Sequence, residues 1–176
     1  MPEYLGKRGK RHVYRVAEQE LERIDLLGQR VRAKKHPNST AKMDDRPTTI
    51  RDMEGFTAEF VVSEHYGDRA EWKDEAFFGP DAGYDILLDG RVRVGVKASR
   101  YRNPCLFVKV SEMGKCHAYI QCYVNLERRL VELVGWLLSR DVRVDPTTGK
   151  KRESQKVYPD SPPSYRIQAL ELNEHH

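Results

Sequence analysis

Asp85 and Lys97 are the pair around which a reactive site is expected. They lie in residues 79–99, GPDAGYDILLDGRVRVGVKAS, where Asp89-Gly90 marks a hairpin turn. Tyr84, Ile86 and Leu88 on one arm must share a buried face with Val92, Val94 and Val96 on the other. Cross-strand partners share a face, so even positions must pair with even ones. A two-residue loop at Asp89-Gly90 would pair Leu88 with Arg91. A three-residue connection, or a turn with a glycine bulge, keeps the apolar register. Asp85 then lies on the opposite face with Arg93, Gly95 and Lys97, and Asp81 joins them if the strand extends back that far. A carboxylate there holds a hard cation through oxygen. Such a cation polarises a phosphoryl oxygen and lowers the pKa of a bound water. A lysine beside it positions that water or offsets charge on the phosphate. Spacing alone favours an ordinary surface hairpin.

The surrounding elements follow from periodicity. Residues 1–12 read as a flexible basic arm. Ala17, Leu21, Ile24, Leu27 and Val31 recur at helical spacing over 13–33, and His36-Pro37-Asn38-Ser39 ends that helix. After a polar loop at 37–48, a second helix begins near Thr49 and Asp52. It buries Phe56, Phe60 and Val61, and stops at Gly67-Asp68. Short β-branched and aromatic runs at 84–88, 92–98, 106–110, 118–124 and 130–138 predict strands. Residues 143–164 read as a long loop, and 165–172 as a short closing element. The expected class is α/β or α+β. A central sheet of about five mostly antiparallel strands is flanked by helices. The expected organisation is one domain, with an arm and helix over 1–48 and a core over 49–176.

The chain has 176 residues, 39% hydrophobic and 33% charged, which suits one soluble domain. It has no run of about 18 apolar residues and no secretory leader at its start, so a cytoplasmic protein with no membrane partner is expected. Cys105, Cys116 and Cys122 are expected to be reduced thiols, with Cys122 in the core, since none sits in a CxxC. His117 beside Cys116 has no second pair at zinc spacing. The net charge is +4, unevenly spread. Lys7, Arg8, Lys10, Arg11 and Arg15 occur over 4–17 with no acid among them. Further groups are Arg30, Arg32, Lys34 and Lys35, then Lys150, Lys151 and Arg152, with Arg100 and Arg102 beyond the Lys97 strand. These clusters suit a phosphate backbone, and equally suit solvated faces. Tyr119, Gln121 and Tyr123 alternate on one face of their strand, where they would line a cleft.

Several motifs occur in a telling order: Gly55-Phe-Thr-Ala-Glu59, Tyr66-Gly67, Asp81-Ala-Gly-Tyr-Asp85, Val96-Lys97-Ala-Ser-Arg100, and the later runs 118–124, 131–137 and 164–167. In order and spacing, residues 50–172 resemble the PD-(D/E)XK nuclease superfamily, and within it small phage and prokaryotic nucleases and resolvases. The resemblance implies a restriction-endonuclease-like core and hydrolysis of DNA phosphodiesters with Mg²⁺ or Mn²⁺. It makes Asp85 the central metal-binding aspartate, Lys97 the catalytic lysine and Glu59 the helix acid. The Val96 carbonyl is a further metal ligand. It implies a prokaryotic or phage-infected host cell, and by analogy a homodimer. The chain departs from the pattern at Gly95, where the family carries Glu or Asp. Asp81 or Glu112 replaces that acid, or the glycine disarms an enzyme, or the chain is a DNA-binding relative without cleavage. An acid restored at position 95 is expected to point into an open cleft at little cost in stability.

Overall fold

The computed structural model describes residues 1–34, 48–72, 83–145, 148–156, 162–169 and 172–174, without the side chains of 31–34 and 48. Asp81 lies outside the described residues. The chain runs β1 (Glu3–Arg8), β2 (Arg11–Arg15), α1 (Glu18–Lys34), α2 (Thr48–Tyr66), β3 (Ala70–Trp72), β4 (Ile86–Leu88), β5 (Val92–Ser99), β6 (Leu106–Lys109), β7 (Ala118–Asn125), β8 (Leu130–Leu138) and β9 (Ser164–Ile167). Seven strands form one sheet in the order β1-β2-β8-β7-β5-β4-β3, and β6 pairs with β9 in a separate ribbon. The fold is therefore mixed α and β on a mostly antiparallel sheet, larger than the five strands expected. Among the described residues the one parallel pair is β5 with β7. Burial of β7 on both faces from Ala118 to Cys122 accounts for its nearly unbroken apolar run.

The first residues are not a free arm. β1 and β2 form a hairpin, and β2 pairs antiparallel with β8 through His12–Leu133 and Arg15–Leu130. What secures it is a carboxylate. Glu132 on β8 has no exposed side-chain surface, and it takes Arg8 at 2.6 Å and Arg11 at 3.1 Å. A buried acid is sustained only by such partners. The expected helix over 13–33 accordingly begins later, at Glu18, with Glu18 and Glu20 in its first turn where acids favour a helix start.

Two cores face opposite sides of the sheet. On one side Ala58, Val61 and Val62 of α2 meet Ile86, Val94, Val96, Ile120, Cys122 and Leu133. On the other, Leu106 and Val108 of β6 and Ile167 of β9 cover Tyr119 and Leu137. The β6 strand thus serves as a lid on the sheet, not as a member of it. Among the described residues no helix is long and apolar enough to cross a membrane.

Candidate active site

The hairpin has the register expected. Ile86 pairs with Val94, Leu87 with Arg93 and Leu88 with Val92, across a three-residue turn. Asp89 and Gly90 both adopt positive φ, at 50° and 66°, which suits Asp and Gly in a tight turn. Arg69 clamps Asp89 through two hydrogen bonds of 3.0 and 2.8 Å. Tyr84 departs from expectation. It precedes the strand, so alternation does not reach it, and it packs into the β6 side.

Asp85 closes the ladder. Its N–H donates to the Val94 carbonyl at 2.9 Å, and its Oδ2 accepts the Val96 N–H at 2.6 Å. Lys97 lies on the same face two residues on from Gly95. Its ammonium meets Glu112 Oε2 at 2.9 Å, and Glu112 Oε1 meets Lys109 at 3.5 Å. Glu112 comes from the single 3-10 turn that follows β6. Protein atoms crowd the lysine head, yet 31% of its side-chain surface reaches solvent. Burial opposes its charge, but Glu112 and then Asp85 outweigh burial, so its pKa lies above the ordinary lysine value. For Glu112 burial pushes upward, and the Lys97 charge and hydrogen bond outweigh it, holding the carboxyl below its ordinary range. The pair is ionised at neutral pH.

Cys116 stands beside the same cluster of charges. Burial, then the Asp85 charge, pushes its thiol up to about 12, so it stays protonated and donates to the Gly83 carbonyl at 3.1 Å. Neighbouring His117 extends the ladder, accepting the Arg93 N–H on Nδ1 at 3.0 Å.

Position 95 is packed, not open. Gly95 pairs in register with Tyr119. A Cβ on Gly95 would lie 2.9 Å from Tyr119 Cδ1 and 3.1 Å from Cys116 Sγ. The Tyr119 ring fills the space an acid would need, and its hydroxyl donates to the Glu112 carbonyl at 2.9 Å. An acid restored here meets a wall, contrary to expectation. Gln121 is not a cleft residue either. It is buried, and Nε2 donates to the Lys97 and Cys122 carbonyls at 2.9 and 2.8 Å.

Glu59 does not join Asp85 and Lys97. It stands on α2, across the sheet from them, and accepts a hydrogen bond from Trp72 Nε1 on β3 at 2.9 Å. The expected basic contacts also divide. Arg8 and Arg11 are committed to Glu132, Lys10 pairs with Glu174 at 2.6 Å, and Arg152 donates to the carbonyls of Asp141, Val142 and Val144. Lys7, Arg100, Arg102, Lys150 and Lys151 are exposed.

Among the described residues no three His, Cys, Asp or Glu side chains stand close enough to cage a metal. Mg²⁺ does not require a cage, since it keeps several waters and takes one or two carboxylates plus substrate phosphate. The donors fit that pattern. Glu112 Oε2 is shielded from solvent and lies 2.9 Å from the Lys97 ammonium, and a carboxylate oxygen keeps a second lone pair for a cation. Sequence reasoning missed how Gly95 and Tyr119 interlock and the anchoring role of Glu132. The second had a signal, an acid inside the apolar run LVELVGWLL. Comparison of the chain with protein-family models, with curated proteins and with solved structures finds no match.

Proposed function

We propose that this chain is a metal-dependent nuclease that hydrolyses DNA phosphodiesters on a restriction-endonuclease-like core. Asp85 and Glu112 are the carboxylates that would hold Mg²⁺ or Mn²⁺, with Glu112 in place of the acid missing at position 95. The observation that carries this reading is the delivery of Glu112 to Lys97 beside that position, at 2.9 Å. When bound, the cation supplies charge stabilisation of the phosphoryl oxygens and a more acidic water. The protein's own part is positional. Asp85 is fixed by the Val96 N–H. Lys97, its backbone braced by Gln121, holds a full positive charge where the scissile phosphate would lie. Tyr119 fixes the Glu112 backbone.

A second reading is favoured by the packing at Gly95: a DNA-binding protein that keeps the pocket without cleavage. One experiment separates them. Supercoiled and linear DNA are incubated with Mg²⁺, Mn²⁺ or chelator, using the native chain and Asp85→Asn, Glu112→Gln and Lys97→Met. The nuclease reading expects metal-dependent cuts, reduced about 100-fold or more by each substitution. A native chain that binds DNA in a salt-dependent way, yet neither cuts it nor takes up Mn²⁺ by calorimetry, leaves the binding reading standing.

A further inference from the structure

Beyond the end of β5 the chain presents an aromatic ring to solvent. Tyr101 is 66% exposed, a value exceeded among the large hydrophobic residues described only by Met1. A single exposed aromatic is unremarkable in itself. What distinguishes Tyr101 is the rigidity of its mount. Its N–H donates to Ser99 Oγ at 3.1 Å. Arg11 donates to the Arg102 carbonyl at 2.6 Å and to Asn103 Oδ1 at 3.0 Å, and Arg11 is itself held by buried Glu132. Pro104 is buried directly after. The loop 100–103 is therefore pinned at both ends with its aromatic facing out.

The neighbours of the ring are cationic. The Arg100 guanidinium lies 5.3 Å from the ring centroid, most of Tyr101 is nonetheless in solvent, and Arg102 is exposed. An exposed ring with cations on either side in the chain matches an unpaired base attached to phosphates. Bases stack on aromatic faces whatever their identity, and arginine adds a cation–π term and a phosphate contact. A fully paired duplex offers no free base face to this ring. The loop lies four residues from Lys97, at most about 13 Å along an extended chain, so one strand can span the ring and the pocket.

We propose that Tyr101, flanked by Arg100 and Arg102, is a stacking platform for an unpaired base, so that the substrate of the Lys97 pocket is DNA with single-stranded character. This substrate class rests on the nuclease reading, but the stacking site is testable without cleavage. Binding is measured in chelator, by fluorescence of a short single-stranded oligonucleotide carrying 2-aminopurine and by its competition with the matching duplex. Tyr101→Ala is expected to weaken single-strand binding about tenfold to a hundredfold and to remove the 2-aminopurine quenching. Duplex affinity should stay unchanged, and Tyr101→Trp should restore the signal. Arg102→Gln should weaken both forms and lower the salt slope by about one phosphate contact. Unchanged single-strand affinity in Tyr101→Ala overturns the proposal and points to a protein partner for the loop. Equal losses on duplex and single strand overturn it too, since the ring would then only support the loop. Retained stacking in a chain that never cuts DNA removes the nuclease reading alone.

Discussion

Gly95 and Tyr119 form a lock at the centre of the candidate site. The glycine has no side chain because a tyrosine ring from the adjacent parallel strand lies where one would be. Gly95→Glu must therefore shift Tyr119 or Cys116 and place a second acid beside Asp85 and the Glu112–Lys97 pair. Overpacking and the crowding of like charges together are expected to cost about 2–4 kcal/mol. Urea denaturation reads this directly. Tyr119→Ala in the same chain should recover part of the loss, because the two positions are in contact and do not act additively. An unchanged urea midpoint together with tighter Mg²⁺ binding would show that the ring moves freely and that position 95 accepts an acid.

At the scale of elements, the joint between β2 and the end of α2 carries a proton-sensitive contact. Tyr14 of β2 and His65 of α2 share a hydrogen bond of 2.6 Å, with His12 and Tyr66 packed against the imidazole at ring distances of 4.9 Å. Burial, then the proximity of His12, lowers His65 to about 4. The folded chain thus binds this proton less readily than the unfolded chain, whose histidine titrates near its ordinary 6.5. Stability associated with neutral His65 is complete above pH 6.5 and falls away as the pH drops toward 4. Between those limits the native chain is expected to lose about 2 kcal/mol more than His65→Gln. Parallel stability curves for the two proteins would dismiss this role.

The same scale shows what the sequence made legible. The β4–β5 register was readable because Ile86, Leu88, Val92 and Val94 must share one face, and a one-residue slip would turn them against the residues of the other face. β1 was not readable. It is exposed at nearly every position, so it lacks alternation, and Arg8 looked free because its acid lies 124 positions away. β6 alternates like a sheet strand with Leu106 and Val108 buried. Nothing local revealed that its partner is β9 and that its task is to cover Tyr119. In the site, Asp85 and Lys97 shared a face by parity alone. Glu59 was misplaced because helical spacing says which side of α2 is apolar, not which side of the sheet α2 covers.

For the whole molecule, the sheet is continuous from β1 to β3, so no cut near residue 48 yields an intact core. Removing residues 1–15 exposes the edge of β8 and leaves Glu132 buried without a cation. An unpaired apolar edge invites association between chains, and an orphaned buried charge costs about 3–5 kcal/mol. The shortened chain should elute as aggregates in size-exclusion chromatography. The milder Glu132→Ala should lower stability by about 2–4 kcal/mol and expose the hairpin to limited proteolysis. A monomeric shortened chain with an unchanged melting temperature would mean that the hairpin is an accessory.

The docking of β2 on β8 also imposes a schedule during synthesis. The β1–β2 hairpin leaves the ribosome well before the strand that receives it, since Arg8 and Glu132 stand 124 positions apart. At about 5–20 residues per second, Arg8 and Arg11 wait roughly 6–25 s before Glu132 exists to receive them. Throughout that interval the nascent chain carries an unclaimed cationic ribbon, next to a ribosome built of phosphate. The charges that complete the folded sheet are the same ones that can hold the unfinished chain to the machine that makes it.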